Sequence, residues 1–447
     1  MGLKPRPGQV EAAQILATSM LEAATRERAA FIAPPGFGKT LTVLVALKLS
    51  KILPATWRVR AHTLTRHVAE QCSIIDLKPE VLLGRERVCP YAAKFGSDIH
   101  AWCAAARYRC PLFRSRTCRY YYYNIDSDVF IMNYARANAP PVPLTVWDEA
   151  HNLVAPREVC LSVQEVIDAL SEVRDEDLRK ELEEKLLYLS SSTTIDVPPV
   201  LLNSLYKEYV RILVESDKPT RLGRLYRVLS GQAVYTNEER DLCGARILLP
   251  RRGLLVSATL PGADKIASAT LEIPWSRRLR AAIVPHITTR YSEFDEAMAE
   301  RARTFLLKLL KKFSRITVFA TQRVAKKLAP VASLYEPEDI PPDWRGVLLL
   351  HSRGRYSEGI DLKTDVIVVL GAPYLPPHAS ERLRRLMERL GIKHADELAM
   401  LNTTLQCVGR ATRKPEDNPV VYLADYRFER FEDELSKYFE FAEELQL

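Results

Sequence analysis

This chain of 447 residues lacks long apolar runs. The longest fall well short of the roughly 20 consecutive residues that a membrane-spanning helix requires. The N-terminal residues show neither a secretory pattern nor the Ser or Thr that a myristoylation signal needs. Eight cysteines in so long a chain do not make a disulfide framework. We therefore expect a cytoplasmic protein without a membrane anchor, long enough for two or three domains.

Positive charge is concentrated in one segment of the chain. The net charge is +8, and residues 85–123 contain eight Arg or Lys against two acids, so this segment alone carries +6. Aromatic residues are interleaved with these charges and end in a run of tyrosines at 120–123. Arginine charges combined with stacking faces are what a nucleic-acid strand binds. The alternative is a solvated basic loop whose aromatic residues pack around a metal.

A glycine-rich turn at residues 33–40 reads Ala-Pro-Pro-Gly-Phe-Gly-Lys-Thr. The apolar run at 29–33 predicts a buried strand before this turn, and apolar residues at 41–49 predict a helix after it. Strand, turn and helix in this order are the context that a phosphate-binding loop requires. Gly36 and Gly38 would let backbone amides approach the phosphates, and the N-terminus of the helix adds a favourable dipole.

Four side chains are candidates for nucleotide and magnesium chemistry. Lys39 would contact the β- and γ-phosphates of ATP, and Thr40 would ligate Mg²⁺. A second apolar run at 144–147 predicts a strand that ends in Asp148 and Glu149. Carboxylates at the end of a parallel strand face the nucleotide crevice. Asp148 would hold Mg²⁺ through water and Glu149 would polarise the attacking water, so the sequence predicts an ATP hydrolase.

Five shorter segments resemble motifs of superfamily 2 helicases and occur in the same order. The segment 4–9 contains Arg6 and Gln9, which the resemblance assigns to the adenine, and the segment 60–65 contains Thr63, which it assigns to the DNA strand. The other three segments are 257–259 with Ser257 and Thr259, 355–361 with Arg355, Gly359 and Asp361, and 406–413 with Gln406, Arg410 and Arg413. The resemblance assigns Gly359 and Asp361 to ATP and Mg²⁺, and Arg355 to the DNA strand. It assigns Ser257, Thr259 and His151 to the coupling of hydrolysis to movement.

The last of these segments carries three polar residues at helical spacing. Positions 406, 410 and 413 are i, i+4 and i+7, so they share one face of a helix. From that face two arginines can reach across a cleft to the γ-phosphate. We therefore expect Gln406, Arg410 and Arg413 to act in catalysis together with Glu149.

Four of the eight cysteines, Cys89, Cys103, Cys110 and Cys118, lie in the basic segment. Four thiolates complete either an iron–sulfur cubane or a tetrahedral zinc site. Zinc sites often contain a close Cys-x-x-Cys pair, and the gaps of 13, 6 and 7 residues here contain none. The spacing favours iron–sulfur and leaves zinc and unliganded thiols open. The cysteines at 72, 160, 243 and 407 are isolated and are expected to be packing residues.

Residues 83–90, 127–134 and 146–153 resemble the XPD family of DNA helicases. The four cysteines also lie where that family has them, between the 60–65 segment and the Asp-Glu-Ala-His box. The resemblance covers nearly the whole chain. It implies a 4Fe–4S cluster on the four cysteines, movement from 5′ to 3′, and a helical Arch domain after the box. The 6-residue gap after Cys103 is a departure, because the family commonly has a close pair.

The expected fold class is α/β, with two tandem RecA-like parallel-sheet motor domains. A four-cysteine cluster insert and a small helical, Arch-like insert interrupt the first of them. The expected boundaries are 1–84, 123–154 and 233–262 for the first motor domain, 85–122 for the iron–sulfur insert, 155–232 for the Arch-like insert and 263–447 for the second motor domain.

We expect a monomeric ATP-dependent helicase that acts on single-stranded and forked DNA, and the resemblance implies a role in DNA repair. The candidate DNA contacts are Arg85, Arg119, Tyr120, Thr63 and Arg355. An ATP-gated DNA-binding or remodelling factor that does not separate strands would carry the same motifs. A nucleotide-dependent switch protein is a third alternative, which the segments around 355–361 and 406–413 disfavour.

Overall fold

A computed structural model describes most of the chain. The described residues are 4–34, 36–60, 62–154, 157–187, 189–190, 193–236, 240–260, 263–274, 278–354, 362–374, 377–388, 393–411, 417–442 and 445. Within them, the side chains of 63, 377–380, 382 and 383 are not described. A search of the described helices finds none with the length and apolar character of a bilayer span.

The regular elements of the described chain alternate between strands and helices. The strands are β1 (Arg28–Ile32), β2 (Ala55–Val59), β3 (Pro79–Leu82), β4 (Val129–Asn133), β5 (Leu144–Asp148), β6 (Arg157–Leu161), β7 (Thr194–Ile195), β8 (Ala233–Thr236), β9 (Leu242–Arg246), β10 (Gly253–Ser257), β11 (Ala269–Glu272), β12 (Leu279–Ile283), β13 (Arg315–Ala320), β14 (Leu334–Tyr335), β15 (Gly346–His351), β16 (Val366–Leu370), β17 (Val420–Ala424) and β18 (Phe439–Phe441). The helices are α1 (Gln9–Ile15), α2 (Leu21–Arg26), α3 (Lys39–Ser50), α4 (Thr63–Ile74), α5 (Arg85–Val88), α6 (Ala92–Phe95), α7 (Ile99–Ala106), α8 (Pro111–Arg114), α9 (His151–Val154), α10 (Val163–Leu170), α11 (Glu176–Leu186), α12 (Pro199–Ser216), α13 (Leu222–Leu229), α14 (Ala263–Ile266), α15 (Glu296–Leu310), α16 (Gln322–Leu328), α17 (Pro377–Glu388), α18 (Ala395–Val408) and α19 (Glu432–Leu435).

The first sheet is parallel, with the strand order β11-β1-β10-β5-β2-β4-β3. Its strands are rich in apolar residues, and the side chains of Phe31 in β1 and Trp57 in β2 are fully buried. Such runs are typical of parallel strands, because helices cover both faces of the sheet. Residues of α1, α3 and α4 pack into the same core. The glycine-rich turn follows β1, and Asp148 ends β5, so both lie at the carboxyl edge of this sheet.

The second sheet is also parallel, with the order β14-β15-β13-β16-β17-β12-β18. Its central strand β16 reads Val-Ile-Val-Val-Leu, and every one of these side chains is buried. The apolar runs at 315–319, 346–350 and 366–370 form β13, β15 and β16. The α/β class with two tandem parallel sheets is therefore confirmed.

A third sheet is small and antiparallel, with the order β6-β9-β8-β7, and it carries α10 to α13. We call residues 162–229 the helical insert. Leu178, Leu182 and Leu186 recur every four residues and form the buried face of α11. The side chain of Asp175 caps that helix by accepting a hydrogen bond of 3.0 Å from the Leu178 amide. This segment is therefore an amphipathic helix whose start is defined by the Asp175 cap.

Strand pairing differs from the expected boundaries at two places. The segment 233–246 was expected to return to the first motor domain, but β8 and β9 pair with each other and with β6 and β7. Conversely, β11 pairs with β1, so the first sheet extends past residue 262. Sequence patterning identifies a strand by its apolar residues and does not specify its partner. We propose that the first motor domain resumes at β10 and extends through β11.

Cys160 and Cys243 form a disulfide, which corrects their assignment as isolated packing residues. They face each other in the register of β6 and β9, with their Cα atoms 4.1 Å apart. That spacing is typical of a non-hydrogen-bonded pair on antiparallel strands, where the side chains lie closest. The other cysteines of the chain are free thiols, and Cys72 and Cys407 are buried as expected.

Candidate ATP site and cysteine module

The glycine-rich turn has the backbone of a phosphate-binding loop. Gly36 and Gly38 have φ of 76° and 89°, a region that residues with a Cβ rarely adopt. Gly38 directly precedes α3, so the amides at the start of that helix face the turn. A Cβ at Gly38 would also lie 2.3 Å from the Nε2 atom of Gln9. Conformation and close approach both require glycine at this position.

The Gln9 side chain forms hydrogen bonds that join the N-terminal segment to the glycine-rich turn. Its Nε2 donates to the Phe37 carbonyl at 2.7 Å, and its Oε1 accepts from the Arg6 amide at 2.7 Å. The side chain of Arg6 is exposed. The predicted adenine-reading pair is therefore placed beside the phosphate loop by main-chain and side-chain contacts.

Lys39 and Thr40 lie at the N-terminal end of α3, and both are half-buried. The Nζ of Lys39 donates to the Ala33 carbonyl at 3.0 Å. An ammonium held over the loop by a backbone carbonyl can exchange that partner for a phosphate oxygen, which binds it more strongly.

Asp148 is buried at the end of β5. One carboxylate oxygen accepts from Trp57 Nε1 at 3.2 Å and the other from the Glu149 amide at 3.0 Å. Burial raises the pKa of Asp148 to about 7, and the neighbouring Glu149 charge adds to the rise while Lys39 opposes it. A divalent cation bound beside this carboxylate would lower its pKa, because bound cations favour the ionised form.

Glu149 has φ of 52°, which is uncommon for a residue with a side chain. This turn directs the chain from β5 into α9. The Glu149 carboxylate lies 3.4 Å from Nδ1 of His151. Strained backbone of this kind is concentrated at functional sites, where the surrounding structure stabilises it.

His151 joins this turn to β10. Its Nδ1 lies 2.9 Å from the hydroxyl of Ser257, and that hydroxyl donates to the Thr259 carbonyl at 2.6 Å. Since the serine hydroxyl uses its proton on Thr259, His151 must donate from Nδ1. Its Nε2 then accepts from the side-chain amide of Asn152 at 3.0 Å. The network therefore assigns a proton to Nδ1.

The same network continues into the second motor domain. The Thr259 hydroxyl donates to Asn402 Oδ1 and accepts from Gln406 Nε2 at 3.2 Å. Gln406 Oε1 in turn accepts from a guanidinium nitrogen of Arg410 at 3.4 Å. Side chains near the predicted catalytic acid are thus linked to the predicted arginine through one chain of contacts. Asn402 was missed by sequence reasoning, because no motif marks a lone asparagine on a helix.

Part of the predicted arginine face lies outside the described residues. The helix α18 ends at Val408, and Arg410 lies in the following short 3₁₀ turn, where it is buried. Arg410 contacts Gln406 from this 3₁₀ turn. The predictions for Arg413, Arg355, Gly359 and Asp361 fall outside the described residues, and that for Thr63 concerns a side chain that is not described.

Residues 85–123, which we call the cysteine module, fold into short helices around four thiols. Cys103 and Cys110 are buried, and Cys89 and Cys118 are half-buried. Burial raises the pKa of Cys89, and Coulombic repulsion from the other three cysteines adds to the rise. The four sulfurs are therefore neighbours, although Cys89 and Cys118 are 29 positions apart in the sequence.

The spacing of these sulfurs is wider than a mononuclear site requires. A zinc ion with Zn–S bonds of about 2.3 Å in tetrahedral geometry needs sulfurs about 3.8 Å apart. All four cysteines belong to the described residues, and no three of their sulfurs lie within 4.8 Å of one another. In the described chain Glu158, Cys160 and Cys243 do meet that criterion, but the two cysteines are joined in the disulfide.

In the cysteine module, two arginines pack against the ring of one tyrosine. The guanidinium groups of Arg85 and Arg136 lie 4.1 and 4.2 Å from the centre of the Tyr120 ring. All three residues are buried. Arg85 donates to the His100 carbonyl and to Tyr121, and Arg136 donates to the carbonyls of residues 83, 120 and 138.

This arrangement corrects two predicted DNA contacts. Arg85 is 7% exposed and Tyr120 is 1% exposed, so neither side chain is available to a DNA strand. Arg119 is exposed, as a DNA contact requires. Sequence reasoning counted charges and aromatic rings but could not tell which of them pack against one another.

Two parallel sheets, a glycine-rich turn on the first and a contact network that joins it to the second can be compared with known proteins. Residues 294–441 match the helicase C-terminal domain family. The ATP-dependent DNA helicase XPD of Sulfolobus acidocaldarius is 27% identical over 172 residues, 32% of this chain and 30% of that protein. The XPD helicase subunit of general transcription and DNA repair factor IIH of Dictyostelium discoideum is 33% identical over 97 residues, 20% of this chain and 12% of that protein.

Solved structures extend the likeness in fold to the whole chain. An XPD helicase superimposes with a TM-score of 0.70 at 20% identity, over 99% of this chain and 100% of that one. The Xpd4 protein of S. tokodaii gives a TM-score of 0.67 at 17% identity, over 98% and 100%. The resemblance to XPD-like superfamily 2 helicases is thereby confirmed. The sequence matches nevertheless span less than a third of the length of the curated relatives named above.

Proposed function

We propose that this protein is an ATP-dependent DNA helicase that moves along single-stranded DNA and separates duplex DNA, with a role in DNA repair. The observation that carries the proposal is the continuous contact network across the two parallel sheets. It begins beside Glu149, passes through His151 and Thr259, and ends at Arg410. A protein that only binds nucleotide does not need its hydrolytic acid connected to a second domain.

ATP binds at the edge of the first sheet. The turn with Gly36 and Gly38 surrounds the phosphates with backbone amides, and Lys39 neutralises their charge. Thr40 and Asp148 hold Mg²⁺, which supplies electrostatic stabilisation of the transferred phosphoryl group when it is bound. Gln9 and Arg6 orient the adenine.

Hydrolysis uses groups from both domains. Glu149 orients the attacking water, and Arg410 stabilises negative charge that develops on the γ-phosphate. Arg413, Gly359 and Asp361 are assigned to the same site by their motifs. When the γ-phosphate leaves, Arg410 loses its partner, and the contacts of Gln406 transmit that loss to the first domain. Alternating closure and opening of the two domains then moves the protein along one strand, in the 5′ to 3′ direction that the XPD resemblance implies.

The exposed side of the cysteine module supplies DNA contacts. Its exposed arginines are Arg87, Arg109, Arg114, Arg116 and Arg119, and the Tyr108 ring is 68% exposed. Arginine charge attracts the phosphates and an exposed ring stacks on a base. Thr63 and Arg355 contribute from the two motor domains. The partners are single-stranded and forked DNA, and the protein acts as a monomer.

A 4Fe–4S cluster on Cys89, Cys103, Cys110 and Cys118 is the metal group that suits this module. The sequence gaps between the cysteines, which contain no close Cys-x-x-Cys pair, favour a cubane over a zinc ion. The buried arginines contact neutral oxygens rather than acids, so their charge is available to offset the thiolates. When bound, the cluster supplies cross-links that hold the short helices of the module together.

Strand displacement on labelled forked DNA tests the function, with a 5′ tail, a 3′ tail or both. We expect ATP-dependent displacement that requires the 5′ tail. A DNA-stimulated ATPase without displacement on any fork would favour the remodelling factor instead. An ATPase that DNA does not stimulate would favour the nucleotide-dependent switch. Displacement that requires only the 3′ tail would retain the helicase and overturn its direction.

A further inference from the structure

The cysteine module and the helical insert share one hydrophobic core. Phe95 and Ile99 of the module are 1% and 0% exposed, and they pack with Leu205, Leu213 and Leu225 of the insert. These residues are far apart in the sequence and come from the two segments that interrupt the first motor domain. The two inserts are therefore docked on each other, and each buries part of the other's apolar surface.

A buried carboxylate lies at the centre of this contact. Asp98 is 4% exposed, and one of its oxygens accepts from the hydroxyl of Tyr209 at 3.0 Å. The other oxygen accepts from the backbone amide of Thr220 at 2.8 Å. Both donors belong to the helical insert. An acid in an apolar core costs free energy unless hydrogen bonds satisfy it, and here the insert satisfies both oxygens.

Gly223 of the insert packs closely against this carboxylate. A Cβ at Gly223 would lie 2.3 Å from the nearer oxygen of Asp98 and 2.8 Å from the Tyr209 hydroxyl. Around the carboxylate, Arg227 donates to the hydroxyl of Ser97 at 2.9 Å. A glycine with no space for a side chain, directly opposite a buried acid, indicates a fitted contact rather than chance proximity.

The helix that follows Asp98, α7, contains a predicted cluster ligand. Asp98 immediately precedes α7, and Cys103 lies within that helix, where its sulfur is 3.7 Å from the hydroxyl of Tyr121. Since α7 spans only Ile99–Ala106, an anchor at its start and a ligand in its middle restrain the same rigid segment. Restraint of the thiols therefore also restrains the part of the insert around Tyr209 and Thr220.

We propose that Asp98 is a positioning residue that couples the cysteine module to the helical insert, so that metal bound at the thiols orders both. The proposal rests on the helicase function and deepens it, because it makes the two inserts a single rigid body beside the motor. Holding this body in one orientation would keep the exposed arginines of the module aligned with the DNA strand that the motor domains move.

Hydrogen–deuterium exchange on the full-length protein tests this coupling directly. The parent and Asp98→Ala are each compared as isolated and after removal of metal by a chelator, and the amides at 199–229 are followed. The exposed Asp126→Asn is the matched control for loss of an acidic side chain. Tyr209→Phe is a milder second variant, because it removes one donor and keeps the ring in the core.

We expect metal removal to accelerate exchange at 199–229 in the parent, and Asp98→Ala to accelerate it by about tenfold or more with the metal still bound. That factor corresponds to an unsatisfied buried partner at about 1–3 kcal/mol. In the variant, exchange at 199–229 should no longer respond to metal. Tyr209→Phe should shift exchange in the same direction by less, and Asp126→Asn should match the parent.

Exchange at 199–229 that is the same in Asp98→Ala and the parent would overturn the coupling. So would a response to metal in Asp98→Ala as large as that of the parent. These readouts do not depend on strand displacement, so a parent protein that separates no strands contradicts the helicase function and leaves the coupling to be decided by exchange alone. If the parent holds no metal, the cluster assignment and the metal-dependent part of the proposal both fail, and the direct comparison of Asp98→Ala with the parent still decides the docking role.

Discussion

Gln406 in the second motor domain donates a hydrogen bond to Thr259 in the first, with 3.2 Å between Nε2 and Oγ1. The threonine hydroxyl uses its own proton on Asn402, one helical turn before Gln406. One hydroxyl thus holds two side chains of α18, and it follows Ser257 and its bond to His151 by two residues. Thr259 therefore connects the segment after β10 directly to α18.

Replacing this hydroxyl by a methyl group should uncouple hydrolysis from movement. Thr259→Val keeps the volume but removes both interdomain bonds, which together contribute about 1–3 kcal/mol. We predict that strand displacement falls by roughly tenfold or more, while DNA-independent ATP turnover changes much less. Steady-state ATPase and displacement rates are measured on the same preparation.

The control for that variant is Thr403→Val. The hydroxyl of Thr403 bonds to the Ala399 carbonyl of its own helix at 2.8 Å, so its loss breaks no interdomain contact. Equal losses of displacement in Thr259→Val and Thr403→Val would show that the network carries no specific coupling.

Substitutions of Glu149 and Lys39 should impair ATP binding and turnover in different ways. Glu149→Gln keeps the shape of the site and removes the group that orients water, so ATP should still bind while turnover falls by about 100-fold or more. Lys39→Ala should weaken nucleotide binding and turnover together, because its contact exists in the ground state and the transition state alike.

Fluorescent nucleotide binding and DNA-stimulated turnover separate these two outcomes. Lys51→Ala serves as the control for the loss of a lysine, since Lys51 is exposed at the far end of α3. Near-normal turnover in Glu149→Gln would remove that residue from the hydrolytic step.

Arg136 should tune the metal group through its charge. Burial lowers the pKa of Arg136, and its guanidinium lies 4.2 Å from the centre of the Tyr120 ring, two residues after Cys118 in the sequence. Removing a buried positive charge disfavours the gain of an electron nearby. We predict that Arg136→Met lowers the reduction potential of the bound cluster, on the order of tens of millivolts, whereas Arg136→Lys shifts it less.

Spectroelectrochemical titration of the two variants provides the measurement. Both variants lose the guanidinium hydrogen bonds, so a shift that comes only from disturbed packing would be equal in the two. Equal potentials would therefore contradict an electrostatic role for Arg136.

The disulfide between Cys160 and Cys243 should stabilise the helical insert. It closes a loop with a sequence separation of 83 residues, which includes all of α10 to α13. In the chain-entropy description, a loop of this length corresponds to about 4–5 kcal/mol at 25 °C. We predict that the double variant Cys160→Ser with Cys243→Ser unfolds its insert at lower denaturant concentration, while ATP turnover of the folded protein is unchanged.

Alkylation of the unfolded, unreduced protein counts the thiols independently. The six free cysteines should react before reduction, and all eight should react after it. Eight reactive thiols before reduction would contradict the disulfide, and an unchanged unfolding midpoint in the double variant would contradict its stabilising role.

The sequence predicted the strands and turns that carry the ATP site because those elements depend on local pattern. The strand before Pro34, the glycines of the turn and the apolar run before Asp148 are each recognisable within a few residues. Their meeting at one sheet edge follows from the rule that parallel strands share a carboxyl end. The sequence alone therefore predicts that Lys39 and Asp148 lie at one nucleotide site.

Contacts between distant segments could not be predicted in the same way. The burial of Tyr120 between two arginines, the pairing of Cys160 with Cys243 and the bond from Thr259 to Asn402 join residues far apart in the sequence. Composition shows that a charge or a ring is present, but its partner depends on tertiary packing. For the same reason the sequence does not show that β8 pairs with β7 and β9, since its apolar residues suit either sheet.

The central claim is that strand separation needs the metal-bearing cysteine module, whereas ATP hydrolysis needs only the two motor domains. Iron per molecule, DNA-stimulated ATPase and strand displacement, measured together on Cys103→Ser, test it most directly. Cys407→Ser is the control, because Cys407 is a buried free thiol of the second motor domain. We predict that Cys103→Ser loses iron and displacement but keeps much of its ATPase, and that Cys407→Ser keeps its iron. Near-normal iron with full displacement in Cys103→Ser would contradict the ligand assignment and the claim, and stoichiometric zinc in the parent would overturn the iron–sulfur identity.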